Sequence, residues 1–155
     1  MKKGPPHEVR LIGGQWKRSK LPVADKPGLR PTPDRVRETL FNWLGQDLRG
    51  FRCIDAFAGT GALGLEAASR GATEVVLVER DAELAASLQA TKQRLKADAL
   101  RVERADAIAW LARAQVGSFD LVLIDPPFDS QLVAQALPLA TRLLPAHGLI
   151  YLESR

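Results

Sequence analysis

Cysteine is nearly absent from this 155-residue chain: Cys53 stands alone, which excludes an internal disulfide framework and a metal cluster built on thiolates. That usage fits a reducing compartment, and because Cys53 falls inside an apolar strand pattern it is expected to be a packed core residue. Long apolar runs are missing too, so no segment approaches the roughly 20 residues that span a bilayer. Met1-Lys2-Lys3 is followed by Pro5, Pro6, His7 and Glu8, where a signal peptide would need an apolar stretch. The expectations are a cytoplasmic protein, no membrane contact and no metal, with His7 and His147 incidental.

Apolar residues make up 46% and charged residues 26% of the chain, the proportions of one ordinary globular domain. The net charge of +4 is unevenly spread. Residues 1–52 carry 12 Lys/Arg against 5 Asp/Glu, a balance of +7, while residues 53–155 carry 10 against 13, a balance of −3. A basic first third suits a polyanionic partner, since phosphate neutralisation and counterion release supply most sequence-independent affinity. The alternative is a solvated arm kept basic for solubility.

From residue 51 onward, short β-rich apolar runs alternate with amphipathic stretches. Strands are expected near 52–57, 74–79, 100–104, 119–124 and 149–153, with helices starting around Gly61, Asp81, Ala107 and Ser130. This pattern predicts an α/β fold with a doubly wound, mostly parallel sheet of order 3-2-1-4-5. Asp81 is placed as an N-cap, Leu84, Leu88, Thr91 and Leu95 share one helix face, and Pro138 should break or kink the last helix. The first fifty residues read as an appendage. Two strands over 9–12 and 15–23 flank a tight turn at Gly13-Gly14. A turn-rich Asp25-Lys26-Pro27-Gly28 follows, then a helix with Thr32 as N-cap and Pro33 in its first turn, burying Val36, Leu40, Trp43 and Leu44. Trp110 is also assigned to the core.

The segment Ile54-Asp55-Ala56-Phe57-Ala58-Gly59-Thr60-Gly61-Ala62-Leu63-Gly64 is a strand entering a glycine turn and a helix. Gly59, Gly61 and Gly64 have the spacing G-x-G-x-x-G, and Glu79 closes the next strand 20 residues after Gly59, which indicates a nucleoside-containing cofactor. Asp55 at the mouth of that loop would repel a pyrophosphate and favour the ammonium and sulfonium of S-adenosylmethionine. Glu79 would accept hydrogen bonds from ribose hydroxyls. Asp106 would meet an adenine amino group, cap a helix, or do both. Asp55, Phe57, Gly59, Gly61, Glu79, Asp106 and Ala107 are the candidate cofactor contacts here, the alternative being a tight turn without ligand.

The fourth strand ends in Asp125-Pro126-Pro127-Phe128. In the 3-2-1-4-5 order this loop opens beside the glycine loop. An exocyclic amino group of a base is a poor nucleophile because its lone pair is delocalised into the ring. Hydrogen bonds from its two hydrogens to the Asp125 carboxylate and the Pro126 carbonyl would aim that pair at a methyl donor. Two prolines remove N–H donors and stiffen the loop, and Phe128 can stack on an extruded base. Asp125, Pro126, Pro127 and Phe128 are thus the candidate catalytic residues; the alternative is a rigid loop with Phe128 as a core plug.

These two loops resemble those of the class I methyltransferase fold, a Rossmann-like architecture, with the second typical of amino-group methylation. The run Arg10-Leu11-Ile12-Gly13-Gly14-Gln15-Trp16, and Leu29-Arg30-Pro31-Thr32-Pro33-Asp34-Arg35-Val36-Arg37-Glu38-Thr39-Leu40-Phe41-Asn42, look like the RsmD family of bacterial small-subunit ribosomal RNA guanine-N2 methyltransferases. The resemblance spans nearly the whole chain. It implies methyl transfer from S-adenosylmethionine, leaving S-adenosylhomocysteine, to N2 of one guanine in 16S rRNA, the guanine at rRNA position 966, on RNA or a small ribosomal subunit. It further implies that Arg30, Thr32, Arg35 and Arg37 line the entrance and place cofactor carboxylate or RNA, Arg30 and Thr32 on the cofactor side. Arg10, Trp16, Lys17, Arg18, Lys20, Arg35 and Arg37 make up the expected RNA-binding set.

Residues 1–50 accordingly form the substrate-RNA side and 51–155 a cofactor-binding catalytic domain. Enzymes of this class continue past the fifth strand with a helix and a terminal strand pair, which this sequence lacks. The strand at 149–153 is therefore expected to have an open edge, either because the chain is truncated or because self-association supplies the missing strands. Competing functions are a DNA adenine or cytosine amino-methyltransferase, a protein-amide methyltransferase, an RNA-binding assembly factor without turnover, and a nicotinamide oxidoreductase, the last opposed by Asp55.

Overall fold

Strands that are apolar at nearly every position need cover on both faces, and the fold supplies it. The computed structural model describes residues 8–24, 26, 29, 32–126 and 130–153. Strands β1 (Glu8–Arg10) and β2 (Lys20–Pro22) form an antiparallel pair, and α1 (Asp34–Leu44) follows. Then come β3 (Arg52–Asp55), α2 (Ala62–Ser69), β4 (Glu74–Val78), α3 (Ala82–Leu95), β5 (Leu100–Glu103), α4 (Ala107–Arg113), β6 (Leu121–Ile124), α5 (Ser130–Leu143) and β7 (Leu149–Leu152). The last five strands make one parallel sheet in the order β5-β4-β3-β6-β7, the expected order; β3, β4, β5 and β7 end one or two residues short of the expected bound, and β6 begins two residues late.

The two-residue alternation of a strand divides the core into two layers. Cys53, Val75, Leu77, Leu121 and Leu123 face one way, joined by Leu65 of α2, Leu88 of α3 and apolar residues of the N-terminal segment, including Val9, Leu21, Leu40 and Phe41. Ile54, Val76, Val78, Val122 and Ile124 face the other way, onto Trp110, Leu111, Ala136, Ala140 and Leu143. Each fully buried aliphatic contributes about 1.5–3 kcal/mol. Cys53 is inside the first layer, where burial pushes its thiol up to about 12, so it stays protonated and unreactive. Helix α5 runs through Pro138 unbroken, because Ala136, Ala140 and Leu143 remain packed on the sheet on either side of it. Asp81 caps α3 as expected, accepting from the N–H groups of Glu83 and Leu84.

The N-terminal segment departs from the sequence expectation in three places. Residues 11–19 connect β1 to β2, so the turn is not the tight one assigned to Gly13-Gly14. Gly14 (φ 77°) instead lies against the C-terminal end of α2, where a Cβ would sit 1.9 Å from the Ser69 carbonyl oxygen. That close approach lets Gln15 N–H donate to the Ser69 carbonyl at 2.7 Å and Trp16 N–H to Ser69 Oγ at 3.0 Å, satisfying a helix end. Thr32 is not the N-cap of α1; Pro33 is, without a side-chain cap bond. Trp43 is not core but 80% exposed.

The displaced Trp43 has a cause inside α1. The face turned inward carries Arg37, Leu40 and Phe41, so the helix is rotated to bury a cation. That cation meets Glu66 of α2, whose carboxylate is fully buried. Glu66 accepts from Arg37 Nη1 at 3.1 Å, from Arg70 Nε at 2.9 Å and from the backbone N–H groups of Ile12 and Gly13 at 2.9 Å each. Arg37 also donates to the carbonyls of Arg10 and Thr32 and pairs with Asp34, while Arg70 stacks over Phe41. At the N-terminal ends of the neighbouring strands β3 and β6, Asp120 clamps Arg52 and meets His147 Nε2 at 3.0 Å, and the Arg52 guanidinium holds the Asp120 carboxyl well below the usual range. No helix among the described residues is long and apolar enough to cross a membrane.

Removing one member of a buried charge cluster strands the others, at a cost of about 3–5 kcal/mol. Glu66→Ala is therefore expected to lower unfolding free energy by about that much in urea titration, whereas Trp43→Ala should change it by no more than about 0.5 kcal/mol.

Candidate active site

The crevice between β3 and β6 is where the sheet order reverses: the chain leaves β3 toward β4 on one side and β6 toward β7 on the other. Loops following these two strands face each other across it. Past Asp55 the chain leaves the ladder. Ala58 N–H still reaches the Val78 carbonyl, and Gly59 (φ 55°) and Gly61 (φ 81°) turn through the left-handed region. Gly64 serves another purpose. A Cβ there would lie 2.3 Å from Leu77 Cδ2 and 3.1 Å from Asp55 Cβ, so its absence lets α2 seat directly on the sheet.

Asp55 ends β3 with its carboxylate buried, and its Oδ2 accepts from Gly64 N–H at 3.0 Å. Burial pushes its pKa up from 3.8 to about 7; the Gly64 N–H opposes this, and the charges of Asp125 and Glu79 add to it. Glu79 bridges two loops, accepting from Gly59 N–H and from Asp81 N–H at 2.9 Å each. A carboxylate offers about four lone-pair directions, so two bonds leave room for ribose hydroxyls. Asp106 caps α4 through Ala109 N–H at 2.9 Å. Thr32 hydroxyl donates to Asp125 Oδ2 at 3.1 Å.

Together these residues surround a cavity of 460 Å³, a size suited to a nucleoside-containing ligand. Among the expected residues its walls include Thr32, Asp55, Phe57, Gly59, Glu79, Asp106, Ala107 and Asp125. Gly61 and Pro126 are not among them: Gly61 turns the chain, and Pro126 is buried next to Asp125. Arg30, Pro127 and Phe128 lie outside the described residues. The walls carry five carboxylates, Asp55, Glu79, Asp81, Asp106 and Asp125, against Lys26 and Arg80. Such a lining disfavours a pyrophosphate and suits a cofactor with a cationic end. No group of three or more His, Cys, Asp or Glu side chains among the described residues is arranged to hold a metal ion.

Sequence reasoning missed the contribution of residues 26 and 29. Lys26 Nζ lies 3.0 Å from Asp81 Oδ2 and 2.9 Å from Glu83 Oε2, and Leu29 Cδ1 is the atom a Cβ on Gly59 would meet. Isolated ties to residues 30 or more positions away leave no periodicity, so that stretch reads only as a turn.

Of the expected RNA-binding side chains, Arg10, Lys17, Arg18, Lys20 and Arg35 are exposed and Trp16 is half-buried. Arg37 is not available to RNA: its side chain is fully buried and committed to Glu66. Lys20 pairs loosely with Glu8 at 3.7 Å. The loop carrying Lys17 and Arg18 leans on the Ser69 end of α2, while the cavity lies at its Ala62 end. Those ends are about 12 Å apart at 1.5 Å per residue.

A family described as "Conserved hypothetical protein 95" matches residues 9–155. Ribosomal RNA small subunit methyltransferase D of Escherichia coli (strain K12) is 47% identical over 150 residues, covering 95% of this chain and 75% of that protein. Its Haemophilus influenzae counterpart of the same name is 43% identical over 152 residues, covering 95% and 79%. The solved structure of the Escherichia coli protein yhhF superposes with a TM-score of 0.84 at 43% identity, covering 95% of this chain and 80% of that one. The chain belongs to the RsmD family of methyltransferases. Its sheet is accordingly the Rossmann-like sheet of class I methyltransferases.

In this RsmD-family chain the raised Asp55 has a measurable consequence. Between pH 3.8 and about 7 the folded protein keeps a proton that the unfolded chain has released, so stability falls as pH rises through that window. Without cofactor, the urea midpoint is expected to drop between about pH 4 and about pH 7 more steeply than that of Asp55→Asn. Equal slopes for the two proteins would remove the assignment.

Proposed function

We propose that the chain transfers a methyl group from S-adenosylmethionine to the exocyclic N2 of a guanine in small-subunit ribosomal RNA, the guanine at rRNA position 966 that the resemblance implies. One observation carries the reading: Asp125, at the end of β6, lines the same cavity as Asp55, Gly59 and Glu79 around the end of β3. Donor and acceptor groups on neighbouring strand ends can then meet. The family's named members support the RNA class of the acceptor.

The cofactor supplies an electrophilic sulfonium methyl when bound. Asp55 and Glu79 would hold its cationic end and its ribose, with Asp106 and Ala107 at the base. Arg30 is proposed with Thr32 at the cofactor entrance. The Asp125 carboxylate and the Pro126 carbonyl would accept from the two amino hydrogens of the guanine, aiming the nitrogen lone pair along the line of attack and stabilising the nitrogen as it becomes cationic. Phe128 would stack on the base, and Pro127 would stiffen the loop. Residues 51–155 are proposed as the cofactor-binding part and residues 1–50 as the RNA-facing part. Arg10, Trp16, Lys17, Arg18, Lys20 and Arg35 would position the phosphate backbone, and Arg37 would brace them from within. The reading places the protein in the cytoplasm with its ribosomal substrate.

Labelled methyl transfer to unmodified small subunits, naked 16S rRNA and duplex DNA, run in parallel, should put label in RNA, on guanine N2 after nucleoside mapping. Asp125→Ala should cut the turnover rate roughly 100- to 1000-fold, the scale of losing one preorganised polar contact to developing charge. Its affinity for S-adenosylhomocysteine should change little. Label confined to DNA would overturn the reading.

A further inference from the structure

We infer that Thr32 is a positioning residue whose hydroxyl sets the orientation of the Asp125 carboxylate toward the acceptor amine. The inference rests on the amino-methyltransferase reading above and adds to it the part that the N-terminal segment plays in the chemistry. Thr32 lies one residue before Pro33, the N-cap of α1, and α1 has no side-chain cap. The N–H groups of Val36 and Arg37 turn to the Pro33 carbonyl instead. The hydroxyl crosses 93 residues of sequence to Asp125 Oδ2 at 3.1 Å, and Thr32 is 4% exposed. Its one hydroxyl proton is thus spent on the carboxylate.

Rotation about the last side-chain bond of an aspartate is broad. Asp125 follows the last residue of β6 and stands before Pro126 and Pro127, so its position in the chain leaves that rotation undetermined. A donor on Oδ2 fixes the plane of the carboxyl group. A hydroxyl does so without bringing a charge that would compete with the amine.

The donor is itself held. The Thr32 carbonyl accepts from Arg37 Nε at 3.2 Å, and Arg37 is fully buried between Glu66 and the Arg10 carbonyl. Glu66 in turn holds the backbone of Ile12 and Gly13. A continuous set of hydrogen bonds therefore runs from the connection between β1 and β2 to Asp125.

Methyl transfer by the full chain, with turnover rate and KM measured separately, tests this in Thr32→Val, Thr32→Ser, Asp125→Asn and the Thr32→Val/Asp125→Asn double variant. Thr32→Val should lower kcat about tenfold or more, the scale of a hydrogen bond to a charged group. KM for RNA and calorimetric affinity for S-adenosylhomocysteine should stay within about threefold, and Thr32→Ser should restore most of the rate. In the Asp125→Asn background the valine should cost much less than it does alone. Should Thr32→Val fail to fold, Thr32→Ala removes the same hydroxyl and is read instead.

A kcat unchanged by loss of the hydroxyl, a loss that serine shares, or a loss confined to cofactor affinity would overturn the positioning role. With Asp125→Asn inactive, those results leave the methyltransferase reading standing. Full activity of Asp125→Asn, or no transfer by the unaltered chain to any RNA, overturns both.

Discussion

A carboxylate with no exposure to water has to be met by cations and hydrogen-bond donors inside the protein, and Glu66 imposes that requirement on everything around it. Four donors converge on its two oxygens, from α1, from α2 itself and from the backbone after β1. The rotation of α1 that buries Arg37 and Phe41 and turns Trp43 outward follows from it. So does the docking of Gly14 on the end of α2, because Ile12 and Gly13 must come within hydrogen-bond range of the same carboxylate.

The consequence reaches the cavity. With Arg37 immobilised, the Thr32 carbonyl is held, and the threonine hydroxyl arrives beside Asp125. Lys26 and Leu29 reach the glycine loop from the same stretch of chain. The N-terminal segment thus contributes walls to the cavity, Lys26 among them, while the loop carrying Lys17 and Arg18 lies about a dozen ångströms away along α2. One buried charge cluster ties the backbone before that exposed loop to the Thr32 side of the cavity.

Acidity is the second organising feature of the cavity. Asp55, Glu79 and Asp106 each use part of their hydrogen-bonding capacity to hold the protein's own backbone, at Gly64, Gly59 and Asp81, and Ala109 respectively. Burial of Asp55, with the charges of Asp125 and Glu79 nearby, raises the cost of keeping the Asp55 carboxylate ionised. A cationic ligand end relieves that cost, and a phosphate would increase it. The lining therefore discriminates among nucleoside cofactors by charge before any contact specific to the base.

Most of the sheet was legible in the sequence, because two-sided burial leaves unbroken apolar runs and the glycine turn and Asp125 each mark a strand's end. Asp55, Gly59, Glu79, Asp106 and Asp125 could be named for the same reason: their positions follow from local pattern plus one topological rule. What α1 buries could not be read that way. An arginine and a tryptophan on one helix give the expected inside and outside only while nothing inside carries charge, and the charge on Glu66 was visible solely as one charged letter in an otherwise uncharged helix. The roles of Thr32, Lys26 and Gly14 depend on partners 93, 55 and 55 residues away, and no local periodicity encodes a partner. The linear sequence determined which elements form and where their ends carry chemistry, since those follow from neighbours along the chain. Tertiary structure alone decided which polar side chains face one another, since a buried ion pair exists only when distant elements are packed together.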